Sequence, residues 1–70
     1  MANVAAHITG TVVKVEKGPG DAVQAGEPIV ILESMKMEMP IEAPAAGKVK
    51  EIKVKEGQPV NEGDVVAVLA

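Results

Sequence analysis

Along this chain, short runs of β-branched residues alternate with polar or small ones. Val4, Ala6 and Ile8 follow a period of two, as do Ile29 with Ile31 and Val66 with Val68, which is the signature of half-buried strands. Gly and Pro interrupt at Gly18-Pro19-Gly20, Gly26 to Pro28, Pro40, Pro44, Gly47, Gly57, Pro59 and Gly63, leaving room for strands of four to seven residues. About eight strands are predicted, near 3–8, 11–16, 22–23, 28–33, 37–43, 48–54, 59–60 and 65–69. In the segment from Lys48 to Glu56, Val49, Ile52 and Val54 break strict alternation and would also fit a helix. Val12 and Val15 show the same irregular spacing between Gly10 and Gly18, so a β-bulge or bend shared by both stretches is the better reading.

That shared irregularity belongs to an internal repeat. Residues 10–33 align without a gap on 47–70, with six identities: Gly10/Gly47, Val12/Val49, Gly20/Gly57, Val23/Val60, Gly26/Gly63 and Leu32/Leu69. Two such halves predict pseudo-twofold symmetry, with the axis expected to pass through the joint at Ser34 to Met37. Each half contains Gly-x-x-Val-x-x-Gly-acid, from Gly20 to Glu27 and from Gly57 to Asp64. This reads as two turns flanking one inward valine, with glycine supplying positive φ or close approach. Neither copy is a phosphate cradle, because there is no GxGxxG or P-loop pattern and no helix follows.

Composition narrows the class. With 70 residues the chain is one domain near the lower size limit for independent folding. Twelve valines and five isoleucines, with no Phe, Tyr or Trp, make the core aliphatic and the fold all-β. Cysteine is absent, so neither a disulfide nor a thiolate is available. The net charge is −3 and arginine is absent, which removes the basic face, the bidentate contacts and the stacking platforms that nucleic-acid binding uses. No stretch approaches the roughly 18 apolar residues of a membrane span, and Met1 to Ala6, with no basic start and no long apolar run, is not expected to be a secretory signal. A soluble cytoplasmic protein is expected, monomeric when isolated. His7, the single histidine, has no second ligand at a usable spacing and is assigned to the surface or a sheet edge. One histidine and scattered acids assemble no nucleophile–base pair, metal cluster or carboxylate dyad, so the chain is expected to be non-catalytic.

Candidate chemistry concentrates at the joint. Between Ile29-Val30-Ile31-Leu32-Glu33 and Glu38-Met39-Pro40-Ile41 there is room only for a tight hairpin. Such turns favour Asn-Gly, Asp-Gly or Gly-x because the backbone needs φ > 0, yet the chain places Ser34-Met35-Lys36-Met37 there. Broken local rules tend to mark functional sites. Methionines on a hairpin tip add little to folding but offer a soft surface to a partner; the competing expectation is that Met35 or Met37 packs back onto the sheet. Glu33 and Glu38 flank the joint symmetrically, either to be read by a partner or to keep strand edges from pairing.

The segment Glu33-Ser34-Met35-Lys36-Met37-Glu38 closely resembles the attachment site of biotinyl carrier domains, the biotin carboxyl carrier protein family. The resemblance extends to Gly10-Thr11-Val12, to Ala43-Pro44-Ala45-Ala46-Gly47-Lys48-Val49 and to both Gly-x-x-Val-x-x-Gly turns. The length matches the short free-standing members called biotin/lipoyl attachment proteins, so residues 1–70 are taken as a single biotinyl/lipoyl-attachment domain. The resemblance implies a flattened β-barrel or sandwich of two four-stranded antiparallel sheets, a barrel-sandwich hybrid, with the lysine on a hairpin at one end. The chain termini, in the positions equivalent to that hairpin, are expected at the other.

It further implies that an ATP-dependent biotin protein ligase biotinylates Lys36, reading Met35, Met37, Ser34, Glu33 and Glu38. The arm then carries carboxyl between a biotin carboxylase and a carboxyltransferase. A lysine is protonated near neutral pH, so activation falls to the ligase, which presents biotin as an acyl-adenylate. Many relatives have Ala where this chain has Ser34, and Pro-Met where it has His7-Ile8-Thr9. Two alternatives stay open. One is a lipoyl carrier with lipoate on Lys36, although lipoyl domains usually have Asp-Lys-Ala at the lysine; the other is an unmodified structural or interaction module.

Overall fold

A computed structural model describes residues 2–70, none of them in a helix. Eight strands follow in order: β1 (Ala2–Ala5), β2 (Gly10–Val15), β3 (Ala22–Val23), β4 (Pro28–Ser34), β5 (Met37–Glu42), β6 (Gly47–Ile52), β7 (Pro59–Val60) and β8 (Val65–Leu69). They form two four-stranded antiparallel sheets, ordered β1-β8-β6-β3 and β5-β4-β2-β7. The offset of 37 residues turns one order into the other, element for element. The all-β, two-sheet architecture is thus the one expected.

Symmetry extends to single hydrogen bonds. Ala6 N–H donates to the Asp64 carbonyl and Ala43 N–H to that of Glu27, both at 2.8 Å; Gly20 N–H donates to Val49 and Gly57 N–H to Val12, at 2.8 and 2.7 Å. The predicted irregularity is a bulge in each half: β2 shifts register against β4 between Val12 and Lys14, and β6 shifts against β8 between Val49 and Glu51. Val13 and Lys50 are therefore the extra residues, 37 apart. Their repetition rules out the helical reading of the second stretch.

The repeated glycine turns also form as expected. Gly20, Gly26, Gly57 and Gly63 have φ between 87° and 94°, and Val23 and Val60 between them are buried. What the sequence did not disclose is the task of the acid that ends each motif. Glu27 accepts the backbone N–H of Gln24 at 2.7 Å, and Asp64 that of Asn61 at 2.8 Å, so each carboxylate closes its own turn.

The core lies between the sheets. Val12, Ile29, Val30, Leu32, Ile41 and Val66 are its largest fully buried side chains, and no polar or charged side chain is buried with them among the described residues. Such a core holds by aliphatic packing alone.

Three expectations need correction. The first strand ends at Ala5, not near Ile8, because the chain bends through His7 and Ile8; Ala6 is bonded to Asp64 and Gly63 of the loop before β8 instead of to a strand partner. His7 is exposed, as assigned. The sixth strand ends at Ile52, not Val54, where Lys53 N–H turns to the Val66 carbonyl. The symmetry axis does not pass through the hairpin. The operation maps β4 and β5 onto β8 and β1, so it exchanges the two ends of the molecule and leaves the hairpin off the axis.

The position expected for Met1 lies outside the described residues, but the neighbouring end is clear. Gly10, at the base of the hairpin, pairs with Val60, and Thr9 Oγ1 accepts the Glu62 N–H. β8 starts just beyond, at Val65, and runs away from the hairpin to Leu69, which pairs with Ala2. Ala2 and Ala70 are thus remote from the hairpin in a body about 30 Å long.

Candidate functional site

The hairpin joining β4 and β5 is regular up to its last pair. Val30 faces Ile41, Ile31 faces Pro40, Leu32 faces Met39, Glu33 faces Glu38 and Ser34 faces Met37. Two residues remain for the loop, Met35 and Lys36, at φ 54° and 64°. Both central residues at positive φ is the requirement of a type I′ turn. They are the only residues other than glycine with positive φ among those described.

An L-residue held in this region costs about 1–2 kcal/mol, because Cβ crowds the following carbonyl. The same turn built from Met35→Asn with Lys36→Gly is therefore expected to be more stable by about 1–2 kcal/mol. For a domain this small, that is a rise of roughly 4–8 °C in Tm per kcal/mol. A thermal melt followed by far-UV circular dichroism reads it, and an unchanged or lower Tm would show that the turn stores no strain. Strain kept where glycine would fit is a mark of function.

What the strain maintains is presentation. Lys36 is exposed, and its ammonium enters no ion pair among the described residues. Met35 is 92% exposed and Met37 60%, the two large hydrophobic side chains left in solvent among the described residues. Neither packs back onto the sheet. That task falls to Met39, half-buried two residues further along the same strand face.

Glu33 and Glu38 stand directly opposite one another, a like-charge pairing that is unfavourable for a sheet. Both are exposed, where solvent weakens the repulsion. Ser34 is half-buried at the base of the turn. The structure thus brings all six sequence-predicted site residues to one end of one hairpin.

Beneath them lies a residue that sequence reasoning placed in the architecture alone. A Cβ added at Gly10 would meet the Glu33 carbonyl oxygen at 2.5 Å and its carbon at 3.2 Å. Only glycine lets β2 begin flush against the end of β4, and this fixes the base from which the lysine projects. The signal was present in the sequence, since Gly10 matches Gly47, where a Cβ would lie 3.2 Å from the Ala70 carbonyl oxygen. Among the described residues, no three His, Cys, Asp or Glu side chains come together as a metal site.

The hairpin thus holds out, on a strained tip, one exposed primary amine that enters no ion pair among the described residues. A family model described as "Biotin-requiring enzyme" matches residues 1–69. The chain belongs to that family. The biotin/lipoyl attachment protein of Bacillus subtilis is 49% identical over 96% of this chain and 92% of its own length. The pyruvate carboxylase of the same organism is 41% identical over 91% of the chain, which spans only 6% of that enzyme. Among solved structures, the urea carboxylase of Kluyveromyces lactis matches with a TM-score of 0.94 and 39% identity, over 99% of this chain and 6% of that one. The lipoyl domain of the 2-oxoglutarate dehydrogenase complex from Azotobacter vinelandii matches with a TM-score of 0.72 and 39% identity, over 89% and 78%. The biotinyl/lipoyl domain is therefore both a free-standing protein and a small part of much larger enzymes. In this chain the exposed hairpin of that domain is Glu33-Ser34-Met35-Lys36-Met37-Glu38.

Proposed function

We propose that the chain is a biotin carboxyl carrier, modified on the Lys36 Nζ by a biotin protein ligase and non-catalytic by itself. The observation that carries this reading is the exposed Lys36 at φ 64° between Met35 and Met37. The site fits a covalently held group: the amine enters no ion pair among the described residues, the side chain is exposed, and the stiff sheet behind leaves the arm as the moving part. Bound there, biotin supplies a ureido nitrogen that accepts and releases a carboxyl group.

The chain's own residues do the rest. Lys36 Nζ, once deprotonated in the ligase site, forms an amide bond with the activated acyl carbon as the bond from that carbon to the adenylate oxygen breaks. Met35 and Met37 offer thioethers to an apolar ligase surface, and Glu33 and Glu38 offer two carboxylates to a cationic one. Attachment removes the Lys36 charge, so the tip changes from a formal charge of −1 to −2 across Glu33, Lys36 and Glu38. Within an assembly holding a biotin carboxylase and a carboxyltransferase, the tethered arm would reach both sites at high effective concentration.

Lipoate on the same lysine is the second reading, favoured by the likeness to the lipoyl domain; Met35 and Met37 favour biotin. The test is intact mass after co-expression with a biotin protein ligase. A biotin-sized increment on the whole chain is expected. A lipoyl-sized increment would establish the second reading, and none would leave an unmodified module.

A further inference from the structure

The internal repeat supplies its own control. Positions 37 residues apart occupy equivalent places in two sheets with equivalent registers, so a difference in their chemistry is not required by the fold. On the outer face of the hairpin sheet, Ile31 stands opposite Pro40 on one side and Lys14 on the other, with the bulge residue Val13 alongside. With Pro28, Glu16 and Glu38 they line an open groove of about 570 Å³. In the second sheet the same register sets Val68 opposite Asn3 and Glu51. The equivalents of Val13 and Pro40 are Lys50 and Asn3.

What the fold does need on this face is matched. Lys14 pairs with Glu16 at 3.5 Å, and the equivalent Glu51 pairs with Lys53 at 3.3 Å, with the signs exchanged. The apolar surface is matched only in part: Val68 and Val65 stand where Ile31 and Pro28 do, but Lys50 and Asn3 replace Val13 and Pro40. Pro40 also removes a donor from the edge strand β5, which discourages edge pairing. That explains Pro40 but not Val13, the bulge residue of β2, a strand that lies inside its sheet between β4 and β7.

The groove continues into the attachment hairpin through Glu38, two residues from Lys36 and on the groove rim. A specific protein partner covers about 800 Å² of each surface, roughly a fifth of the 4155 Å² of this chain. Six hairpin residues cannot supply that area, so a partner that grips the tip must also rest on an adjoining face. The groove centre at Ile31 is five residues along the strand from Lys36, roughly 17 Å at 3.4 Å per residue. A partner that takes the Lys36 amine into its own active site has to come flush with the strands beside it. Partners that act at the far end of a loaded arm can stand off.

We propose that the groove formed by Val13, Ile31 and Pro40 is a docking surface for the biotin protein ligase. It accepts an apolar side chain of the ligase beside a cationic one that meets Glu38. The proposal rests on the carrier reading and adds to it a recognition surface outside the hairpin. The test is kcat/KM for biotinylation of the full chain by a biotin protein ligase. The variant is Val13→Lys with Pro40→Asn, which installs the residues the second sheet already carries at equivalent ladder positions. A loss of tenfold or more is expected, carried by KM, with Tm unchanged. Lys50→Val on the opposite face is expected to keep the wild-type value. Where the double variant fails to fold, Val13→Thr, close to it in shape, reads the same contact with a smaller loss of about threefold.

Wild-type kcat/KM in the folded variants overturns the docking surface, as does a loss confined to kcat or one shared by Lys50→Val. A wild-type chain that accepts no biotin at all overturns the carrier reading, and this proposal with it.

Discussion

Lys36→Arg is expected to abolish attachment completely, leaving the intact mass at that of the unmodified polypeptide after co-expression with the ligase. Arginine keeps the positive charge, the unbranched stem and the tolerance for φ 64° that lysine shows here. It does not keep the nucleophile, because the guanidinium stays protonated and its lone pairs are delocalised. Surface substitutions of this kind usually change stability by no more than about 0.5 kcal/mol, so the variant should melt with the wild type. Loss of modification with the fold intact separates the chemistry of one amine from any general damage to the hairpin. A biotin-sized increment persisting in Lys36→Arg would place the acceptor on another of the seven lysines and end the assignment made here.

Leu32→Ala is expected to have the largest effect on stability. Leu32 is fully buried and stands in the ladder between Val12 and Met39. Truncating a buried leucine costs about 2–5 kcal/mol, through lost transfer energy and the cavity left behind. A domain of this size has only a few kcal/mol to lose. At roughly 4–8 °C per kcal/mol, Tm should fall by at least about 8 °C, and the upper end of the range unfolds the protein at room temperature. Far-UV circular dichroism or calorimetry must follow the melt, since the chain has no Phe, Tyr or Trp to report on packing. Modification should fail in proportion to unfolding, because the hairpin register depends on this pair of strands. A Tm within a few degrees of wild type would remove Leu32 from the core.

The exposed hairpin itself was legible in the sequence because its turn signals are local. A tight turn filled with Ser34-Met35-Lys36-Met37 instead of glycine announces the hairpin and the break in its rule; the pairing of Ser34 with Met37 then narrows the loop to Met35 and Lys36. The bulges at Val13 and Lys50 were legible for another reason: the repeat displayed one irregularity twice, which no accident of composition would do. Strand ends at Ala5 and Ile52 were less readable. Backbone bonds from Ala6 to Asp64 and from Lys53 to Val66 terminate them, and nothing in the nearby residues signals partners so distant in the chain. The axis was misplaced because a joint in the sequence was equated with a joint in space.

The sequence alone therefore determined the all-β class, the twofold pattern, the glycine turns and the lysine that is offered, since each depends on backbone preferences of a few consecutive residues. The tertiary structure decided which side chains share a face. It set Glu33 opposite Glu38, brought the Glu33 carbonyl against Gly10, and gathered Val13, Ile31 and Pro40 from three strands into one groove. Those neighbours arise from the register of separate segments, which is fixed when the aliphatic core closes.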